Sequence, residues 1–163
     1  MLCACLLMST SLLAARPPVA AVASAHPLAT RAGMDILASG GNAFDAAVAV
    51  SAALAVVEPY SSGLGGGGFW LLHRARDAHE VMIDGRERAP LAATRDMYLD
   101  ADGDVVPGLS VDGALAAGIP GVPAALVHIS RRYGRLPLQQ NLAPAIQLAR
   151  EGFEDDGVYR RMA

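Results

Sequence analysis

From Ala43 to Val57 the chain has only two polar side chains, Asp45 and Ser51, among fifteen residues. A helix that is apolar nearly all round has to be covered on most sides. Asn42 offers an N-cap, and Asp45, three residues on, can bond back to the cap and sit at the positive end of the helix dipole. At about 1.5 Å per residue such a helix is too short to cross a bilayer. The preceding stretch has a one-sided pattern: Pro27 fits a first helical turn, Ala29, Ala32, Gly33, Ile36 and Leu37 recur on one face, and Gly40-Gly41 ends the run. Earlier still, residues 19–23 have the composition of a short buried strand, and Arg16-Pro17-Pro18 is an extended linker.

Past Glu58-Pro59 the period changes. Five glycines fall within residues 63–68, followed by an apolar run at 69–73, a polar turn, and a second run at 81–84, which predicts an antiparallel pair of strands. A short helix is expected over 92–99, and Asp100-Ala101-Asp102-Gly103-Asp104 is expected to be a solvated turn. A helix starting near Val122 carries Leu126, Ile129 and Tyr133 on one face and stops at Gly134; the last spans 143–150, with Pro144 in its first turn and Gly152 at its end. A strand, helices, two strands and then helices belong to an α/β or α+β class.

Composition changes the picture in one respect. Hydrophobic residues make up 53% of the 163 and charged ones 18%, a more apolar balance than a free-standing soluble domain requires, so a buried piece of a larger fold is expected. The net charge of -3 and the absence of any basic run exclude an electrostatic case for nucleic acid. Both cysteines, Cys3 and Cys5, lie in an apolar run over residues 1–15 that is expected to be a signal peptide, cut after Ala14 or Ala15 and followed by a linker over 16–21. Export to the periplasm or the extracellular space would then leave a mature chain without cysteine.

The chemistry is incomplete on its own. The glycine loop lacks the lysine and hydroxyl of a phosphate loop, and it runs from helix to strand, the reverse of a dinucleotide fingerprint. His26, His73, His79 and His128 are scattered and form no zinc pattern. Ser61 and Ser62 lack a nucleophile-elbow frame, and the aspartates near Gly103 lack the closing glutamate of a calcium loop, where Val111 stands. Asp84 and Glu87 beside Arg86 and Arg88 read as ion-paired surface groups, and periodicity alone makes Arg86 a surface arginine at a strand end.

Six segments in register change that reading. The run from Asp35 through Gly40-Gly41-Asn42-Ala43-Phe44-Asp45 to Ala49, Glu58-Pro59, Gly63-Leu64-Gly65-Gly66-Gly67-Gly68-Phe69, Arg86-Glu87-Arg88-Ala89-Pro90, Gly118-Ile119-Pro120-Gly121 and the stretch from Pro144 to Phe153 resemble the opening of the gamma-glutamyltransferase family. The resemblance implies part of an N-terminal nucleophile hydrolase sandwich, two antiparallel sheets between helical layers, with residues 22–163 as the N-terminal portion of a large subunit. It implies a precursor that cuts itself, and a threonine at the start of the small subunit that attacks glutathione or another gamma-glutamyl donor. The acyl group then passes to water, an amino acid or a peptide. No metal or organic cofactor is implied. Thr10, Thr30 and Thr94 lack the family's Thr-Thr-His context, so no catalytic residue is expected in this chain; the remainder of the large subunit and the small subunit are the implied partners. Arg86 matches the family arginine that grips the glutamyl α-carboxylate. The alternatives are a cephalosporin acylase-like amidohydrolase and a non-catalytic remnant.

Overall fold

A computed structural model describes residues 20–162. Helix α1 spans Pro27–Ala38 and α2 spans Ala43–Val57; strands β1 (Gly68–Arg74) and β2 (His79–Gly85) form an antiparallel hairpin; α3 (Val122–Tyr133), α4 (Leu138–Glu151) and the single turn α5 (Tyr159–Met162) follow. A 3-10 turn at Ala114–Ala116 interrupts the long connection between β2 and α3.

The apolar α2 is the centre of the packing, as its sequence requires. One side of it meets α1 and α4 in a cluster containing Ala29, Ala32, Ala52, Ala53, Val57 and Ala145. The other side meets the hairpin and α3 around Val48, Leu72, Val122, Leu126 and Ile129. Small side chains let α1 and α2 approach closely: a Cβ on Gly33 would lie 2.7 Å from Val50 Cγ2. In the hairpin, Gly68 pairs with Gly85 and Arg74 with His79. Strand alternation turns Trp70, Leu72, Val81 and Ile83 toward the core. The opposite face is bare, with Phe69 58%, Leu71 79% and Met82 62% exposed.

Asp45 does more than cap α2. Its fully buried carboxylate accepts from the backbone N–H of Asn42 (2.9 Å), Arg135 (2.9 Å) and Leu136 (3.4 Å) and from Asn141 Nδ2 (2.8 Å). Four donors replace water around a charge that has no cation partner among the described residues. Asn42 completes the capping box and also donates from Nδ2 to the Tyr133 carbonyl at 2.7 Å. Together they tie the start of α2 to the end of α3.

Three expectations need correction. Residues 20–23 form no strand, and Val19 lies outside the described residues; the only sheet among those residues is β1 paired with β2, so this stretch has no neighbouring strand to bond. Residues 92–99 form turns rather than a helix. Their backbone bonds run three residues back, Met97 to Thr94 and Leu99 to Asp96, and the neighbouring Leu91 is fully exposed, with no core to hold a helical face. Helix α4 starts at Leu138, not at 143, which leaves Pro144 inside it. A mid-helix proline costs about 3 kcal/mol, but Leu138 and Leu142 already pack on the core, about two turns and one turn before Ala145 does, and that burial extends the helix past the proline. The leader, the cysteines and most of the linker fall outside the described residues.

Candidate functional site

The open end of the hairpin brings the glycine loop and the arginine segment side by side. Since Gly68 pairs with Gly85, the chain before β1 and the chain after β2 leave together. Gly85 is buried, and a Cβ there would lie 2.6 Å from the Trp70 ring and 2.9 Å from Ala125 Cβ. Such close approach requires glycine. The Gly66 carbonyl accepts from the N–H groups of Gly121 (3.1 Å) and Val122 (3.2 Å), so the loop satisfies free donors at the start of α3. Arg88 and Ile119 exchange backbone bonds of 3.1 and 2.7 Å, closing the Gly118-Ile119-Pro120-Gly121 segment onto the arginine segment.

Arg86 is thereby held on a fixed backbone. Its N–H donates to Asp84 Oδ1 at 2.9 Å, while its side chain stays 68% exposed, with Nε 3.6 Å from Glu87 Oε2. Glu87 turns the other way, against the glycine loop: a Cβ on Gly67 would sit 2.8 Å from the Glu87 backbone nitrogen and would strike its carboxylate. Glu87 Oε2 is buried without a hydrogen-bond partner among the described residues, and the 3.6 Å ion pair is too long to be one.

Two hollows flank this ridge. A cleft of about 300 Å³ on the α2 side is lined by Ser51, Ser61, Ser62, Gly67, Trp70 and Glu87. A groove of about 490 Å³ on the α3 side is lined by Asp84, Arg86, Arg88, Ile119, Ala124 and His128. The structure therefore puts Arg86 and Glu87, adjacent in sequence, at different hollows. Ser61 and Ser62 line the cleft, whereas His73, His79 and His26 are elsewhere, and neither Thr30, bonded to Ser24 at 2.8 Å, nor the exposed Thr94 lines either hollow. Asp100 accepts from the N–H of Asp102 and Asp104, both at 2.9 Å, and forms a solvated turn. Among the described residues no His, Cys, Asp and Glu side chains gather into a possible metal site.

Glu87 is the residue that sequence reasoning undervalued. Its contact with the glycine loop lies beyond the last strand pair, Gly68 with Gly85, and the signal available was its place one residue after the arginine and just past that pair, beside a glycine-rich loop. Chemically, the ridge offers an anchored guanidinium, a planar fork suited to holding a carboxylate by two parallel bonds.

The fold of this chain is matched by gamma-glutamyltranspeptidase crystal structures. That of the Helicobacter pylori enzyme matches with a TM-score of 0.85 at 46% identity, over 90% of this chain and 42% of that one. The chain belongs to the gamma-glutamyltranspeptidase family, whose model matches residues 29–163. It is 47% identical over 144 residues to the glutathione hydrolase proenzyme of Pseudomonas sp. strain A14, and 48% identical over 132 residues to that of Escherichia coli K12. These alignments cover 86% and 81% of this chain but 25% and 23% of the relatives, so the chain spans about a quarter of their length.

Proposed function

We propose that this chain is the N-terminal part of the large subunit of an exported gamma-glutamyltransferase or glutathione hydrolase, and that Arg86 holds the α-carboxylate of the gamma-glutamyl donor. The observation that carries the reading is the Arg86 geometry: a backbone locked by Asp84 and by the Arg88–Ile119 bridge, with an exposed guanidinium at the mouth of a groove beside the glycine loop. On this reading a threonine from the remainder of the precursor attacks the gamma-glutamyl amide, using its own α-amine as base, and forms an acyl-enzyme that water, an amino acid or a peptide then cleaves. Arg86 fixes the donor so that its amide lies within reach of that nucleophile.

The test is steady-state kinetics with a gamma-glutamyl anilide, using the complete self-cleaved enzyme that carries this chain. Arg86→Lys replaces the two-point grip by a point charge and is expected to lower kcat/KM by about ten- to a hundredfold, the equivalent of roughly 1.5–3 kcal/mol for one lost charge-assisted bond. Arg88→Lys, whose backbone rather than side chain makes the bridge to Ile119, is expected to do much less. An unimpaired Arg86→Lys enzyme would refute the assignment.

A further inference from the structure

The groove that holds Arg86 does not end there. His128 and Ala124 line it, and the same two residues border a second hollow of about 300 Å³ formed with Val127, Arg131 and Arg132 on the outward face of α3. Positions 124, 128, 131 and 132 repeat at helical spacing, so they form one stripe. Four guanidiniums, those of Arg86, Arg88, Arg131 and Arg132, thus border one continuous surface, against the single lining carboxylate of Asp84. Asp84 is exposed and accepts from the Arg86 backbone N–H, which leaves one carboxylate against four guanidiniums, and Glu87 reaches Arg86 from the opposite side of the ridge. The ion pairs among the described residues leave Arg88, Arg131 and Arg132 without a carboxylate partner. In a chain whose net charge is -3, this collects positive charge on one face, contrary to the overall balance.

We propose that this stripe is a binding track for an acidic peptide, in which Arg86 takes one carboxylate and His128, Arg131 and Arg132 take carboxylates further along. Its length sets the ligand. From Ala124 to Arg132 the helix rises about 12 Å, and an extended peptide advances about 3.3–3.6 Å per residue. Three or four residues fill the track. Neutral peptides gain nothing from it, whereas each carboxylate set against a guanidinium fork makes a charge-assisted contact. The inference rests on the reading of Arg86 as a carboxylate grip, and adds to it a preference for substrates carrying further acidic groups.

Binding of tetraglutamate and of tetraglutamine to the complete self-cleaved enzyme that carries this chain, measured by calorimetry, separates the two ideas. Tetraglutamate is expected to bind, more weakly as salt rises, and tetraglutamine not to bind. Arg131→Gln with Arg132→Gln should weaken tetraglutamate about tenfold, the paired lysine replacements should keep most of the affinity, and Arg150→Gln, on α4 away from the track, should leave it unchanged. Equal binding of both peptides, no binding of either, or an unchanged affinity in the double glutamine variant overturns the track. Because those substitutions leave Arg86 in place, that result would not touch the donor assignment, which falls only on the kinetics of Arg86→Lys.

Discussion

Asp45 shows at the scale of one residue how much a single side chain holds. Four N–H donors converge on its carboxylate, three of them from residues about ninety positions away. Asparagine in its place keeps the shape but turns an NH₂ group toward donors that need an acceptor. Leaving buried donors unsatisfied costs about 1–3 kcal/mol each, so Asp45→Asn is expected to destabilise the chain by about 3 kcal/mol, read as a large fall in the thermal midpoint; an unchanged midpoint would show that the carboxylate is dispensable. Gly134 belongs to the same knot. Its φ of -68° is open to any residue, so glycine is required there for space: an added Cβ would strike Asp45 Oδ1 and lie 2.5 Å from the Ser130 carbonyl. The capping role of Asp45 was legible in the sequence because it depends on a residue three positions away. Its second role was not, because only the fold brings Arg135, Leu136 and Asn141 to it. The contact of Glu87 was hidden for the same reason, since it is made with the glycine loop about twenty residues earlier in the chain.

At the scale of an element, the hairpin turn contains a pH-sensitive clip. Arg74 donates to both carboxylate oxygens of Asp77, from Nε at 2.9 and 3.1 Å and from Nη2 at 2.8 Å. The Arg74 hydrogen bond, more than anything else around it, holds the Asp77 carboxyl below its ordinary value of 3.8. The folded hairpin therefore binds that proton less readily than the unfolded chain does. The clip contributes fully above the unfolded pKa and is lost as the pH falls through the lower folded value. Titration of Asp77 followed by NMR should give a midpoint below 3.8, and Arg74→Gln should bring it back up; a midpoint indifferent to Arg74 would contradict the clip. Other elements differ in how openly the sequence declared them. Both strands and α1 to α3 follow from periodicity and caps, while α4 was started too late because Pro144 outweighed the packing of Leu138 and Leu142. A turn-rich stretch such as 92–99 resembles a helix in composition until it is seen that no apolar face meets it.

At the scale of the whole molecule, the helices cover only one face of the hairpin. The face that carries Leu71 and Met82 is where the proposed remainder of the enzyme would pack, and the nucleophile would arrive with it. On the proposed reading Arg86 would orient a donor, but orientation accelerates a reaction only between groups that are both present. Thr30 is engaged with Ser24 in the first helical segment and Thr94 sits in an exposed turn; neither lines the groove that holds Arg86, and neither is the N-terminal residue whose free amine could take up its proton. The 163-residue chain by itself is therefore expected to release no amine from a gamma-glutamyl anilide above the uncatalysed rate. The same assay with the complete precursor provides the comparison, and appearance of free amine should follow self-cleavage in time. Turnover by the purified chain, abolished by Arg86→Ala, would mean that a nucleophile resides within these residues and that the division of labour proposed between this part and the remainder is wrong.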